Sequence, residues 1–144
     1  MNLIIRKASV CWIGGAKGGA RGVTTESGLR KKARFDSGMS LKSSPATDPS
    51  ELIAAAHASS FSLALSAELK LKPAATGQII TTATVTVENL ATGWTIMNIH
   101  LNVVAYLPRI TQGQFIDATV RAKTNCLVSR LLRTNISLHA KLDS

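Results

Sequence analysis

At 144 residues the chain is long enough for one domain with its own core, spanning residues 1–144. A hydrophobic content of 45% against 17% charged residues excludes a disordered chain, and no apolar run approaches the roughly 18 residues of a membrane helix. The net charge of +9 invites a nucleic-acid partner, but aromatics are only 4% of the residues and no zinc-finger, helix-turn-helix or RNP pattern is present, which argues against one.

The N-terminal "MNLIIRKASVCW" has no long apolar stretch ahead of a small-residue cleavage site. It reads as a mature start, and the chain as cytoplasmic. Residues 2–12 alternate as a strand, with Ile4, Ala8, Val10 and Trp12 on one face. Gly14, Gly15, Gly18 and Gly19 follow as a turn whose spacing fits no phosphate-binding loop. Residues 20–26, "ARGVTTE", form a partner strand. Residues 27–46 are polar and irregular, and their basic cluster "LRKKARF" reads as a solvated loop.

A helix begins at "TDPSELIAAAHASS" and runs to about Leu71, before Pro73. Asp48 suits the N-cap, Pro49 the first helical position, and Glu51 stands three residues on, close to a capping box. The helix is apolar nearly all round, so it should be buried on every side. Residues 78–89 and 93–107 carry the clearest strand alternation. Ile79, Ala83, Val85 and Val87 line one face of the first, and Met97, Ile99, Leu101, Val103 and Ala105 one face of the second. "NLATGW" links them as a hairpin. Residues 112–124 read as a helix with Phe115, Ile116, Val120 and Ala122 as its apolar side. A short helix follows Cys126, and residues 134–142 close the chain as a strand. The order β-β-α-β-β-α-α-β implies an α+β fold. One sheet covers only one side of the apolar helix, so a second copy of the chain is expected to cover another, in an intertwined homodimer.

Two serines, Ser59 and Ser60, interrupt that helix, where a buried hydroxyl must find a partner. Two cysteines, Cys11 and Cys126, are too few for a disulfide framework or a sulfur-based metal site, and the three histidines have no metal-ligand spacing. Cys126 falls at a helix N-terminus, a position that favours a thiolate. Cys11 belongs to a sheet and carries no chemical role. Glu51 can serve as a cap alone. His57 lies on the same helical face as Ser60, but a helix-interior serine lacks the strand-turn-helix elbow of a hydrolase. Trp12, Trp94 and Tyr106 read as core.

"TDPSELIAAAHASSFSLALS" together with "AKTNCLVSRLL", preceded by "TTESG" and "ARFD", resembles the OsmC/Ohr family of thiol-dependent hydroperoxide reductases. The family helix motif reads H-A-x-C-F-S-x-A-L, with the peroxidatic cysteine before the Phe. Here Ser60 stands at that position, before Phe61. The second family cysteine matches Cys126, with Leu127 where a Pro usually follows, and the family arginine and glutamate match Arg34 and Glu51. The resemblance implies an OsmC-like fold, with antiparallel sheets around a long buried helix. It also implies a cycle with no cofactor and no metal. A thiolate steadied by Arg34, itself held by Glu51, reduces an organic hydroperoxide. Cys126 resolves the sulfenic acid, and an external dithiol reduces the disulfide. A serine hydroxyl has no such oxidation ladder, so the sequence implies an inactive or weak peroxidase. The alternative is a non-catalytic small-molecule, anion or nucleic-acid binder on the same fold. Glu51 and Ser60 are nine residues apart, about 13.5 Å of helical rise, so Glu51 and Arg34 are expected to serve Ser60 of the other subunit.

Overall fold

Strand alternation and helical periodicity both materialise in the computed structural model of the chain, which describes residues 3–15, 20–26, 33–34, 49–72 and 76–143. The elements run β1 (Leu3–Ile13), β2 (Ala20–Thr25), β3 (Ala33–Arg34), α1 (Pro49–Glu68), β4 (Gln78–Leu90), β5 (Gly93–Tyr106), α2 (Gln112–Asn125), α3 (Leu127–Leu131) and β6 (Asn135–Asp143). The class is α+β. One short strand, β3, lies inside the segment read as irregular. No helix among the described residues is long and apolar enough to cross a membrane.

The described strands form one sheet in the order β3-β2-β1-β4-β5-β6. Neighbours are antiparallel up to β5, but β6 runs parallel to β5, pairing Ile136 with Ile99 and Leu138 with Leu101. The sheet is therefore mixed where a wholly antiparallel one was expected. A parallel neighbour cannot follow from a hairpin; it needs a crossover, and α2 with α3 supplies it. The helix α1 packs on β1 and β4, and both α2 and α3 pack on α1. The core between them holds Val10, Trp12, Phe61, Leu65, Ile79, Val85, Ile99, Leu101 and Phe115, all at most 1% exposed.

Four local expectations shift. The helix α1 ends at Glu68 because Lys70 takes a left-handed φ of 54°. The Leu71 amide then bonds Ser66 O at 3.1 Å and the Lys70 amide bonds Ala67 O at 3.0 Å, closing the helix as a Schellman cap. In β5 the register slips: Thr86 faces Asn98 while Val87 faces Ile96, so Met97 is the extra residue of a bulge. Met97 is accordingly 40% exposed, and Ile96 takes its place against the core. In α2 the buried residues are Phe115, Ala118, Thr119 and Ala122, a face of spacing three and four. Ile116 and Val120 sit one position round the helix and are exposed. Thr111 and Gln114 close a reciprocal capping box at its start. Trp12 is buried as expected, whereas Trp94 and Tyr106 are exposed near the ends of β5.

The helix and sheet are also joined by a buried polar contact: Ser62 Oγ donates to Thr81 Oγ1 at 2.7 Å, with both residues fully buried. Thr81→Val keeps the shape of the strand residue but leaves the serine hydroxyl without its acceptor. We expect it to destabilise the protein by about 1–3 kcal/mol, and Ser62→Ala/Thr81→Val to recover most of that loss. Urea unfolding of the single and double variants checks both values; a double variant no better than Thr81→Val would contradict the assignment.

Candidate active site

Four serines of α1 become polar anchors on an otherwise apolar helix. Ser59 Oγ donates to Ala55 O within the helix at 2.7 Å, and Ser66 Oγ donates to Gly14 O at 3.3 Å. Ser60, half-buried, accepts the Val128 amide on its Oγ at 3.3 Å. Val128 is the second residue of α3, whose N-cap is Cys126. Cys126 makes no side-chain cap bond of its own. The hydroxyl of Ser60 thus satisfies an amide of the first turn of α3 that the helix cannot satisfy itself.

Beneath this contact lies a second chain of hydrogen bonds. Cys126, 2% exposed, donates its thiol proton to Ser129 Oγ at 3.0 Å. Ser129 Oγ lies 2.8 Å from His57 Nε2. His57 is fully buried, and burial pushes its pKa from 6.5 down to about 4, so the ring is neutral at pH 7. Its Nδ1 is buried and has no hydrogen-bond partner among the described residues. His57 and Ser60 are each bonded to different residues of the α3 segment, so they do not form a serine–histidine pair.

The structure brings Ser60 against the segment that carries Cys126. Glu51 lies in the first turn of α1, nine residues away from Ser60, and is 1% exposed. The backbone of Arg34 sits in β3, opposite Gly22 of β2. The side chain of Arg34, and Asp48, lie outside the described residues. Cys11 lies on β1 and accepts from Gln78 Nε2 at 2.8 Å. Ser129 and its link to His57 escaped sequence reasoning. The available signal was its spacing three residues from Cys126, which puts both on one helical turn. Among the described residues no cluster of three His, Cys, Asp or Glu could hold a metal ion. A cavity of about 490 Å³, lined in part by Leu69, Lys70, Lys72, Leu107 and Arg109, includes none of these residues. A buried thiol, one hydroxyl and a neutral imidazole in hydrogen-bonded sequence make an arrangement suited to thiol chemistry with proton transfer.

Residues 41–141 match the family described as OsmC-like protein. Over 141 residues the chain is 34% identical to peroxiredoxin OsmC of Escherichia coli, covering 98% of this chain and 99% of that one. Among solved structures, an OsmC-like protein of unknown function from Vibrio cholerae superposes with a TM-score of 0.56 at 16% identity, covering 94% of this chain and 97% of that one. An organic hydroperoxide resistance protein OsmC from Legionella pneumophila superposes with a TM-score of 0.50 at 20% identity, covering 100% and 98%. These two structural likenesses speak to the fold.

The neutral buried His57 has a consequence for stability. In the unfolded chain the ring binds a proton as pH falls through 6.5, while in the folded chain it resists protonation down to about 4. The unfolded state therefore binds more protons in that window, and stability falls as pH falls from 6.5 towards 4. The stability lost across the window is of order 3 kcal/mol. Chemical denaturation between neutral and acid pH should show a shallower loss for His57→Gln than for the parent; parallel curves would remove His57 from the account.

Proposed function

The chain belongs to the OsmC family, and on that premise we propose that it carries the family's hydroperoxide-reducing site with Ser60 at the position of the attacking cysteine. The peroxiredoxin name of the E. coli relative supports a peroxidase-type role. The observation that carries the finer reading is the bond from the Val128 amide to Ser60 Oγ. It sets position 60 against a segment whose cysteine is two residues away, which is the adjacency a two-thiol cycle requires.

With a thiolate at position 60 the cycle is complete. Sulfur attacks the terminal peroxide oxygen, the O–O bond breaks, and the alcohol leaves with a proton. The Cys126 thiol then condenses with the sulfenic acid, forming a disulfide and water, and an external dithiol reduces it. In this proposal Arg34 steadies the thiolate and Glu51 orients Arg34, both from the second subunit. The electrons come from thiols alone, so the cycle calls for no cofactor and no metal. Serine cannot enter it, and the chain as it stands is a weak peroxidase or an inactive one. We place it in the cytoplasm, as one OsmC-like domain over residues 1–144.

The second subunit is supported by apolar exposure. Leu63 of α1, Ile116 and Val120 of α2, and Leu127 and Leu131 of α3 are 44–80% exposed on three helices that pack on one another. Exposed apolar surface on that scale marks an association site. We expect sedimentation at micromolar concentration to show a homodimer; a stable folded monomer there refutes it.

Ser60→Cys is the direct test of the site. We expect it to raise dithiol-dependent reduction of tert-butyl or cumene hydroperoxide by more than about 100-fold, with hydrogen peroxide the poorer substrate. No gain, with the new thiol titrated as free and the oligomer unchanged, overturns the proposal.

A further inference from the structure

We propose that Cys126 is itself a hydroperoxide-reactive thiol in this chain, deprotonated through a relay running from its Sγ through Ser129 Oγ to His57 Nε2. The inference deepens the proposed function and rests on its reading of the site as a peroxide site.

The relay is directional. Cys126 donates its proton into Ser129 Oγ at 3.0 Å. A serine oxygen that accepts on one lone pair keeps its own proton free to donate, and the atom within reach is His57 Nε2 at 2.8 Å. We assign Nε2 as the acceptor, which puts the ring proton on Nδ1, the buried nitrogen without a partner among the described residues. Burial keeps the ring neutral, so one ring nitrogen carries a free lone pair that can accept a hydrogen bond; the proton itself moves only as sulfur attacks and charge develops. A thiol joined by hydrogen bonds to a neutral imidazole is the nucleophile-and-base pairing that activates a thiol, and here the link runs through the Ser129 hydroxyl. The second indication is the unpaired Nδ1 itself. A buried polar atom left unsatisfied is rare, and it keeps His57 free of any bond except the one to Ser129. Cys126 is 2% exposed, Ser60 above it is half-buried, and Leu127, the next residue in sequence, is 80% exposed in the single chain.

The step balances as follows. As sulfur attacks the terminal oxygen of an organic hydroperoxide, the Cys126 proton passes to Ser129 and the Ser129 proton passes to His57 Nε2, which becomes an imidazolium. An S–O bond forms as the O–O bond breaks, sulfur losing two electrons to the peroxide. The departing alkoxide takes the proton back from His57 and leaves as the alcohol. A low-molecular-weight thiol then condenses with the sulfenic acid, releasing water, and a second one restores Cys126 and leaves as the disulfide. Ser129 and His57 are positioning and proton-transfer residues; Cys126 alone touches the oxidant.

The test uses the full chain with Ser60 in place and Cys11→Ser, so that one thiol remains. Cumene hydroperoxide is added, and the sulfenic acid is trapped with dimedone and read by mass. We expect one adduct, on Cys126. Ser129→Ala should slow its formation about tenfold or more, and Ser129→Thr, which restores the hydroxyl, should bring the rate back to within about threefold of the parent. His57→Gln fills the same space without accepting a proton and should slow the reaction as Ser129→Ala does, which keeps the test open if the alanine variant unfolds. Equal rates in the parent and either slowed variant overturn the relay. An unreactive Cys126, while Ser60→Cys turns over hydroperoxide, overturns this inference and leaves the family reading of the site standing. Failure of both thiols to react overturns the family reading, and this inference with it.

Discussion

A hydroxyl buried in an apolar helix must be hydrogen-bonded, and α1 carries four hydrogen-bonded serines within eight residues, three of them buried and Ser60 half-buried. The apolar residues Ala54, Ala58, Phe61 and Leu65 hold α1 to the sheet without choosing among small rotations or shifts of the helix. The hydroxyls do choose. Ser62 reaches Thr81 of β4, Ser66 reaches the carbonyl of Gly14 just past β1, and Ser60 reaches the amide of Val128 in α3. These three bonds point to three different elements. A helix slipped by one residue would leave all three groups unpaired, each at about 1–3 kcal/mol. The sequence feature that looks least suited to a core helix is the one that fixes its register.

The site follows from that register. The crossover from β5 to the parallel strand β6 must pass over the sheet, and it does so as α2 and α3. The break between them at Cys126, an extended residue with φ −66° and ψ 149°, ends one helix and starts the next. Ser60 satisfies an amide that this break leaves open, so α1 holds α3 in place. Once α3 is held there, Ser129 on its first turn meets both Cys126 and His57. Packing, crossover and thiol environment are one construction.

Much of this was legible in the chain. Period-two alternation located β1, β4, β5 and β6, and the apolar helical run located α1, because each signal extends over several residues. What failed was local. A single bulge residue, Met97, turned the start of β5 over, and nothing in the alternation of Met97 and Ile99 betrays it. The left-handed Lys70 ended α1 early although lysine gives no sign of favouring that conformation. The inward face of α2 includes Thr119 and excludes Val120, because burial there follows helical phase and a threonine hydroxyl can bond its own helix, here Ile116 O at 2.7 Å. The parallel pairing of β6 depends on the path of two helices and has no residue-level mark. In the site, the family resemblance pointed to Ser60 and Cys126, and the structure sets Ser60 beside the segment of Cys126. Ser129 was not legible, since its role arises from a contact with His57, 72 positions away in the chain.

The chemistry of position 60 turns on the atom at the end of a short side chain. As oxygen, it accepts the Val128 amide and steadies α3, a neutral bond of ordinary worth. As a neutral thiol it would be a weak acceptor, and the same amide would lose most of that bond. As a thiolate it would accept again, now as a charged group, and more strongly than the serine does. The amide therefore discriminates between the two protonation states of a sulfur at this place and favours the charged one. The contact that lets serine serve as a structural anchor is the same contact that would favour a reactive cysteine. The serine hydroxyl is accommodated at this point of the helix because it has the Val128 amide to meet.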